Sequence, residues 1–174
     1  MADSKILIPF ILKWEGGYAE IKGDRGGATN MGVTLSTFKQ VFGNDKTKED
    51  LKQLTDGEWE YIYRTKFWAK VKGSQIVDQS IANVIADWAW HSGTANAAKR
   101  VQEIVGVTTD GIIGAKTIAA INAQSPLPLF GKIKERRLSF LNNIVKANPS
   151  QKKFLKGWTN RVNAIIYGKP YFLD

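Results

Sequence analysis

Six of the chain's 16 glycines lie within residues 16–32, a density that excludes a stable helix from this stretch. Before it, apolar residues recur at the spacing of one helical face, namely Ile6, Leu7, Phe10, Ile11 and Trp14. Asp3 or Ser4 can cap the start of this helix, and Gly16-Gly17 permits a sharp exit from it. The composition of residues 18–34 therefore predicts a loop or a short hairpin that follows directly on a helix.

The rest of the chain carries mainly helical patterns. Two capping boxes, Thr47 with Asp50 and Thr55 with Glu58, predict helix starts. Pro126 and Pro128 predict a break before a long basic helix. Helices are predicted over 34–42, 78–91, 94–105, 115–122, 129–145 and 151–167. We expect a mostly α protein with a small β-hairpin or irregular loop element near residues 18–34.

The scarce residue types exclude several kinds of chemistry. The chain has no Cys and a single His, so disulfides, thiol nucleophiles and zinc sites built from several His or Cys ligands cannot form. Hydrolytic chemistry would then depend mainly on carboxylates, for which neither a metal nor a cofactor is required. We therefore expect no metal site and no cofactor.

Charge is distributed unevenly along the chain, whose net charge is +9. Residues 1–87 are neutral overall, so the whole excess lies in residues 88–174. Such asymmetry favours a polyanionic partner, either nucleic acid, a membrane surface or an acidic cell-wall polymer, although excess Lys can also serve solubility alone. The basic residues at 132–137 and 146–156 lack interleaved aromatics, which favours a solvated helix face over a nucleic-acid site.

The amino-terminal segment does not have the pattern of an export signal. Pro9 interrupts the apolar stretch Ile6–Leu12, and no small-residue cleavage site follows it. No run approaches 18 apolar residues, so stable membrane insertion is not expected either. These patterns predict synthesis in the cytoplasm without a signal peptide.

Two carboxylates could share the work of a hydrolase. Glu15 follows an apolar helical face at a glycine-rich corner, where partial burial disfavours the charged form and suits a proton donor. Asp24 lies within the glycine-rich loop, where backbone amides and water keep a carboxylate ionised. The alternative is structural, with Glu15 ending a helix and Asp24 forming an Asx-turn.

Other polar candidates are weaker. His91-Ser92 at a predicted helix end indicates a cap more than a nucleophile and base, because adjacent residues rarely meet productively. Asp87, one turn earlier, can pair with His91 or a loop amide. Most of the aromatic residues have core spacing, and one or two could stack on sugar rings.

The ordered motifs resemble the glycoside hydrolase 108 family of lysozyme-like N-acetylmuramidases, found in phage lysis cassettes and bacterial secretion loci. The resemblance rests on Trp14-Glu15-Gly16-Gly17-Tyr18 and on residues 24–34, which read Asp-Arg-Gly-Gly-Ala-Thr-Asn-Met-Gly-Val-Thr. Residues 110–117, Asp-Gly-Ile-Ile-Gly-Ala-Lys-Thr, are similar to the peptidoglycan-binding region that accompanies these enzymes. Arg25, where the family usually has Pro, and Trp90-His91, where Val-Asn is commoner, depart from the pattern.

The resemblance implies a lysozyme-like helical fold and specific roles for single residues. Glu15 would be the general acid, while Asp24 and Thr29 would hold the attacking water or stabilise the transition state, with Asn30 an alternative to Thr29. The implied substrate-binding residues are Tyr18, Asn30, Trp68, Asp87 and Ser92.

The resemblance also implies a domain plan and partners. Residues 1–92 would form the catalytic region and 93–174 the peptidoglycan-binding region, packed as one compact unit. The expected substrate is the β-1,4 bond between N-acetylmuramic acid and N-acetylglucosamine in peptidoglycan. We expect action in the periplasm or cell wall, a monomer, no nucleic acid, and a holin or secretion-system partner for export. The alternative is a catalytically weak cell-wall-binding or secretion-accessory protein with the same fold.

Overall fold

The structure is a computed structural model, which describes residues 1–20, 27–169 and 171. Within those residues the helices are α1 (Ile8–Trp14), α2 (Leu35–Phe42), α3 (Lys48–Lys52), α4 (Asp56–Ile62), α5 (Gln79–Ser92), α6 (Thr94–Val105), α7 (Ala115–Asn122), α8 (Pro126–Ala147) and α9 (Lys152–Ala164). Short 3₁₀ turns cover Ser4–Ile6, Gly73–Gln75 and Pro149–Gln151, and a π-helical segment, Tyr63–Trp68, continues α4.

A small antiparallel sheet forms the β element predicted near residues 18–34. It has three strands in the order β1 (Ala19–Glu20), β2 (Ala28–Asn30) and β3 (Val33–Thr34). Thr29 of the middle strand pairs with Ala19 on one side and Thr34 on the other. The prediction of a mostly α fold with a small β-hairpin at this place is confirmed.

Helix α5 lies at the centre of the molecule. All ten residues from Ser80 to Ala89 are buried, and the helix packs against α6, α8 and the π-helical segment. A helix buried on every side needs apolar or paired residues all round, which α5 provides. The hydrophobic core extends from Phe10 in α1 to Ile133 in α8, so both halves of the chain contribute to it.

Helix boundaries match several local signals and depart from others. Both predicted capping boxes form, at Thr47 and at Thr55. The break predicted at Pro126 and Pro128 is wrong, because α8 begins at Pro126. Proline is tolerated in the first helical turn, where its missing N–H would have no partner in any case. In the part of the chain that the structure describes, no helix is long and apolar enough to cross a membrane.

Candidate active site

The Glu15 side chain lies where α1 gives way to the sheet. Glu15 caps α1 in an extended conformation, its backbone N–H donating to the Leu12 carbonyl at 3.2 Å. Its carboxyl Oε1 accepts hydrogen bonds from Trp90 Nε1 at 2.7 Å and from Arg161 Nη1 at 2.9 Å. The side chain keeps 16% of its surface exposed. A carboxyl held at one oxygen and still reachable from solvent has the placement that a proton donor to a bound substrate needs.

The turn between β2 and β3 closes against the same carboxyl. Met31 and Gly32 both have positive φ, 49° and 79°, which is the conformation of a two-residue type I′ hairpin turn. A Cβ on Gly32 would lie 2.5 Å from Glu15 Oε2, so only glycine lets the turn approach this closely. Trp59 Nε1 donates to the Met31 carbonyl at 2.9 Å and anchors the turn. The hairpin and α5 therefore hold Glu15 from two sides.

An aromatic cluster of Trp59, Tyr63, Phe67 and Trp90 supports both contacts. The Trp90 ring lies 5.2 Å from Trp59 and 4.7 Å from Phe67, between ring centroids, and Trp59 stacks on Tyr63 at 5.6 Å. Burial raises the pKa of the Tyr63 phenol well above its ordinary value, so it stays neutral. Packed rings fix the direction of the Trp90 N–H toward Glu15.

A buried ion network continues from Glu15 into the carboxyl-terminal half. Arg161 donates to Glu15 and, through Nη2, to Asp87 Oδ1 at 2.7 Å, while Arg137 Nη1 donates to Asp87 Oδ2 at 2.7 Å. Arg137 and Asp87 are wholly buried. Burial alone would raise the pKa of Asp87, but Arg137 and Arg161 outweigh it and hold that pKa below the ordinary value. Asp87 is therefore an anion that fixes Arg161 in place.

His91 adjoins this network without adding a charge to it. Its Nδ1 lies 3.4 Å from Arg137 Nη2. Burial, followed by the Arg137 and Arg161 charges, lowers the pKa of His91 to about 4, although Asp87 opposes this. His91 is thus a neutral imidazole at neutral pH.

Sequence reasoning missed both arginines of the network. Arg137 was expected on a solvated basic face, and that expectation is wrong because the side chain is wholly buried. A usable signal exists, since Arg137 continues a four-residue repeat of buried positions formed by Leu129, Ile133 and Leu141. Arg161 lies 146 residues from Glu15 in the chain, and local sequence patterns do not report such a contact.

The residues expected to bind substrate have different placements. Asp87 has no exposed surface and its carboxylate oxygens accept from arginines, so we interpret it as a positioning residue in place of a direct sugar ligand. Asn30 Nδ2 donates to the carbonyls of Leu51 and Lys52, which occupies this amide in holding β2 to α3. Ser92 is half-buried at the last position of α5.

The other predicted site residues that the structure describes are Thr29, Tyr18 and Trp68. Thr29 is half-buried on β2, on the opposite face from buried Ala28 and Asn30. Tyr18 is half-buried, and its hydroxyl donates to Glu20 Oε1 at 2.7 Å. Trp68 is 4% exposed, with its Nε1 bound to Ser74 Oγ at 2.8 Å. Asp24 lies outside the described residues.

Comparisons with known proteins show which family the chain belongs to. A family model described as glycosyl hydrolase 108 matches residues 8–93, and one described as a predicted peptidoglycan domain matches residues 96–163. The fold is lysozyme-like, and the family models place the chain among the glycoside hydrolases that act on peptidoglycan. The chain belongs to the glycosyl hydrolase 108 family.

A solved structure is similar to this chain over most of its length. The structure described as that of Brucella abortus SagA is 38% identical, with a TM-score of 0.79, over 91% of this chain and 88% of that chain. Among curated protein sequences, none matches.

Proposed function

We propose that this protein is an N-acetylmuramidase that hydrolyses the β-1,4 bond between N-acetylmuramic acid and N-acetylglucosamine, with Glu15 as the general acid. The observation that carries the proposal is the Glu15 carboxyl, which is bound at Oε1 by Trp90 and Arg161 and remains partly exposed. Membership of the family and the peptidoglycan model over residues 96–163 support the choice of substrate.

In the proposed reaction Glu15 gives its proton to the glycosidic oxygen. The bond from that oxygen to C1 of N-acetylmuramic acid breaks, and positive charge develops on C1 and the ring oxygen. Water adds to C1 and loses a proton, leaving a reducing N-acetylmuramic acid end and a free 4-hydroxyl on N-acetylglucosamine. Because both described hydrogen bonds to Glu15 end on Oε1, we assign the transferred proton to Oε2.

The attacking side of the site is proposed on the family resemblance. Asp24 would stay ionised and, with Thr29, hold the water or stabilise the transition state. Thr29 follows Gly26-Gly27 by two residues on β2, the strand whose turn contacts Glu15. That connection supports a place for Thr29 near the reacting sugar. Asn30 fits this role less well, because its amide is bound to α3 carbonyls.

The proposal extends to where the enzyme works. A peptidoglycan hydrolase acts in the periplasm or the cell wall, and a holin or secretion partner would bring it there. We propose a monomer, since the ion network that completes the site is formed within one chain.

The test is the release of reducing ends from purified peptidoglycan by the wild type, Glu15→Gln and Glu135→Gln, with mass analysis of the products. Glu135 is an exposed carboxylate on α8, so its variant controls for the loss of one negative charge. We expect Glu15→Gln to lose at least about 100-fold in rate, the usual contribution of a general acid, and Glu135→Gln to match the wild type.

Two outcomes would contradict the proposal. Equal cleavage by Glu15→Gln would mean that another group supplies the proton. Binding of peptidoglycan without cleavage by any of the three proteins would instead identify a cell-wall-binding or secretion-accessory protein.

A further inference from the structure

A groove of about 730 Å³ opens on a face of α4 different from the buried face that carries Trp59 and Ile62. Its volume falls within the range of about 300–1,000 Å³ that is typical of small-molecule sites. Residues of α4, of the π-helical segment and of the turn at residues 72–75 line the groove, together with Ser4. The lining includes Gly57, Glu60, Tyr61, Arg64, Trp68 and Gln75.

The floor of the groove is a fixed indole. Trp68 is almost wholly buried, and its Nε1 donates to Ser74 Oγ at 2.8 Å. Gly73 packs so closely on the six-membered ring that a Cβ there would overlap Trp68 Cε2. The turn and the indole therefore hold each other, which makes the groove a preformed feature.

The backbone around the groove departs from regular geometry at two places. The π-helical segment replaces α geometry at Tyr63–Trp68, with the Ala69 N–H donating to the Arg64 carbonyl at 2.9 Å. Lys72 has a left-handed conformation with φ 50°, which is uncommon for a residue other than glycine. Both departures border the groove, and such departures are frequent at functional sites.

The groove is separated from the Glu15 carboxyl by the aromatic cluster. Trp90 contacts Glu15, Tyr63 contacts Trp90 with ring centroids 6.1 Å apart, and Trp68 contacts Tyr63 from the groove side at 6.3 Å. The groove also lies outside residues 96–163, which match the peptidoglycan model. It is therefore a concave surface separate from the Glu15 carboxyl and from that domain, and its lining includes Trp68, one of the residues that the resemblance implies for substrate binding.

The lining has the chemistry of a saccharide site. Tyr61 is 55% exposed, so its ring can stack on the C–H face of a pyranose. Glu60 and Arg64 form only a long ion pair of 3.7 Å, which leaves a planar carboxylate and a guanidinium able to bind vicinal hydroxyls. Gln75 adds an amide that both donates and accepts. No aliphatic side chain larger than Ala is part of the lining, which disfavours an apolar ligand.

We propose that this groove is a second saccharide-binding site, which takes N-acetylated amino-sugar units of a glycan strand apart from the strand segment being cleaved. The choice of this glycan rests on the proposed function. An enzyme that binds its polymer at two places stays on the strand between cleavages, because the second contact acts at high effective concentration. The groove would then lower KM for long strands and leave kcat for short ones unchanged.

The test uses ¹⁵N-labelled Glu15→Gln protein titrated with hexa-N-acetylchitohexaose, so that binding is followed without turnover. We expect two sets of shifted amide signals, one near Glu15 and the Gly32 turn and one within residues 57–75. Adding Gly57→Leu should remove only the second set, since a Cβ on Gly57 enters open space within the groove lining. Tyr61→Ala should lower the affinity reported by the second set of signals roughly 3- to 10-fold, which corresponds to the loss of one aromatic contact.

Gly157→Leu is the matched control. Gly157 is a helical glycine of α9 with open space around it, as Gly57 is in α4, and both substitutions favour the helix. Both sets of signals should persist in this variant. Signals that shift only near Glu15 would overturn the proposal, and so would groove signals that respond to the stem tripeptide L-alanyl-γ-D-glutamyl-diaminopimelate and not to the sugar.

These outcomes are independent of the cleavage assay. A wild type that releases no reducing ends would overturn the proposed function, while a second set of signals with the chitohexaose would still establish the groove as a saccharide site. Cleavage by the wild type together with shifts confined to the Glu15 region would support the proposed function and overturn the groove as a saccharide site.

Discussion

At the scale of single residues, Glu15 accepts hydrogen bonds from Trp90 and from Arg161. The Trp90 indole N–H is the better one to remove, because Arg161 also binds Asp87. Trp90→Phe removes the hydrogen bond of 2.7 Å and keeps a ring against Trp59 and Phe67. In the proposed reaction Glu15 becomes negatively charged as it gives up its proton, and a hydrogen bond to a charged group contributes about 1.5–3 kcal/mol. We therefore expect kcat to fall roughly 10- to 100-fold with little change in KM. Steady-state kinetics on soluble glycan fragments measure both constants.

Trp88→Phe provides the matched control for that loss. Trp88 lies on the same helix and is wholly buried, but its Nε1 has no hydrogen-bond partner among the described residues. Its replacement exchanges the indole for a smaller phenyl ring without removing a hydrogen bond, so kcat should stay close to the wild-type value. Equal losses in the two variants would mean that packing of α5, and not the Trp90 N–H, sets the rate.

At the scale of elements, the β2–β3 turn shapes the site through Gly32. Gly32→Ala places a Cβ at φ 79° and against Glu15 Oε2. The backbone strain costs about 1–2 kcal/mol of stability. Displacement of the proposed general acid by about 1 Å would lower the rate by a factor on the order of 100. We therefore expect a moderate loss in urea midpoint and a large loss of cleavage.

Gly106→Ala separates these two effects. Gly106 ends α6 at φ 74°, and a Cβ there meets open space. This variant should lose a similar free energy of unfolding and keep its activity. If Gly106→Ala lost activity as Gly32→Ala does, the effect would follow from stability, and the close approach of the turn would be irrelevant.

The elements also show how far the sequence predicts this molecule. The hairpin and the capped helices were predictable because glycine clusters and capping boxes act over a few residues. The π-helical segment was not, since Tyr63 to Trp68 continue the spacing of an α-helix. Arg137 was misplaced because arginine is usually exposed, and its burial depends on Asp87, 50 residues away. The partner of Glu15 on α9 is a product of tertiary packing alone.

At the scale of the whole molecule, Asp87 joins the two halves through Arg137 and Arg161. Asp87→Asn leaves the buried Arg137 without an anion and removes one of the two carboxylates that bind Arg161, which keeps Glu15. The free energy of unfolding should therefore fall by about 3–5 kcal/mol. Glu103→Gln is the control, because Glu103 also binds two arginines, Arg100 and Arg136, but is 36% exposed. Exposed pairs contribute about 1 kcal/mol or less. If chemical denaturation gave similar losses in the free energy of unfolding for Asp87→Asn and Glu103→Gln, burial of the network would add nothing to stability.

The neutral His91 gives the molecule a pH dependence of known sign. Its pKa is about 4 in the folded chain against an ordinary 6.5, so the unfolded chain binds more protons between these values. Stability then rises with pH, and the free energy of unfolding should be about 2 kcal/mol lower at pH 5 than at pH 7.5. Arg137 and Arg161 hold the pKa of Asp87 below its ordinary value of 3.8. The stability that ionised Asp87 contributes is therefore lost only at pH values below the range from pH 5 to pH 7.5.

His91→Asn tests this assignment. The variant has no group to protonate at that place, and its urea unfolding should be nearly constant between pH 5 and pH 7.5. A slope equal to that of the wild type would assign the pH dependence to other groups. Below pH 4 both proteins should lose stability together as Asp87 and other carboxylates take up protons.

The ion pair between Glu15 and Arg161 also orders events during synthesis. The two residues are 146 positions apart, and a ribosome adds roughly 5–20 residues per second, so Arg161 is made about 7–30 s after Glu15. Until α9 has emerged and docked, the Glu15 carboxyl lacks its guanidinium partner and Asp87 lacks one of its two cations. A nascent chain therefore carries an incomplete site, and this site is complete only when the second half of the chain has folded onto the first.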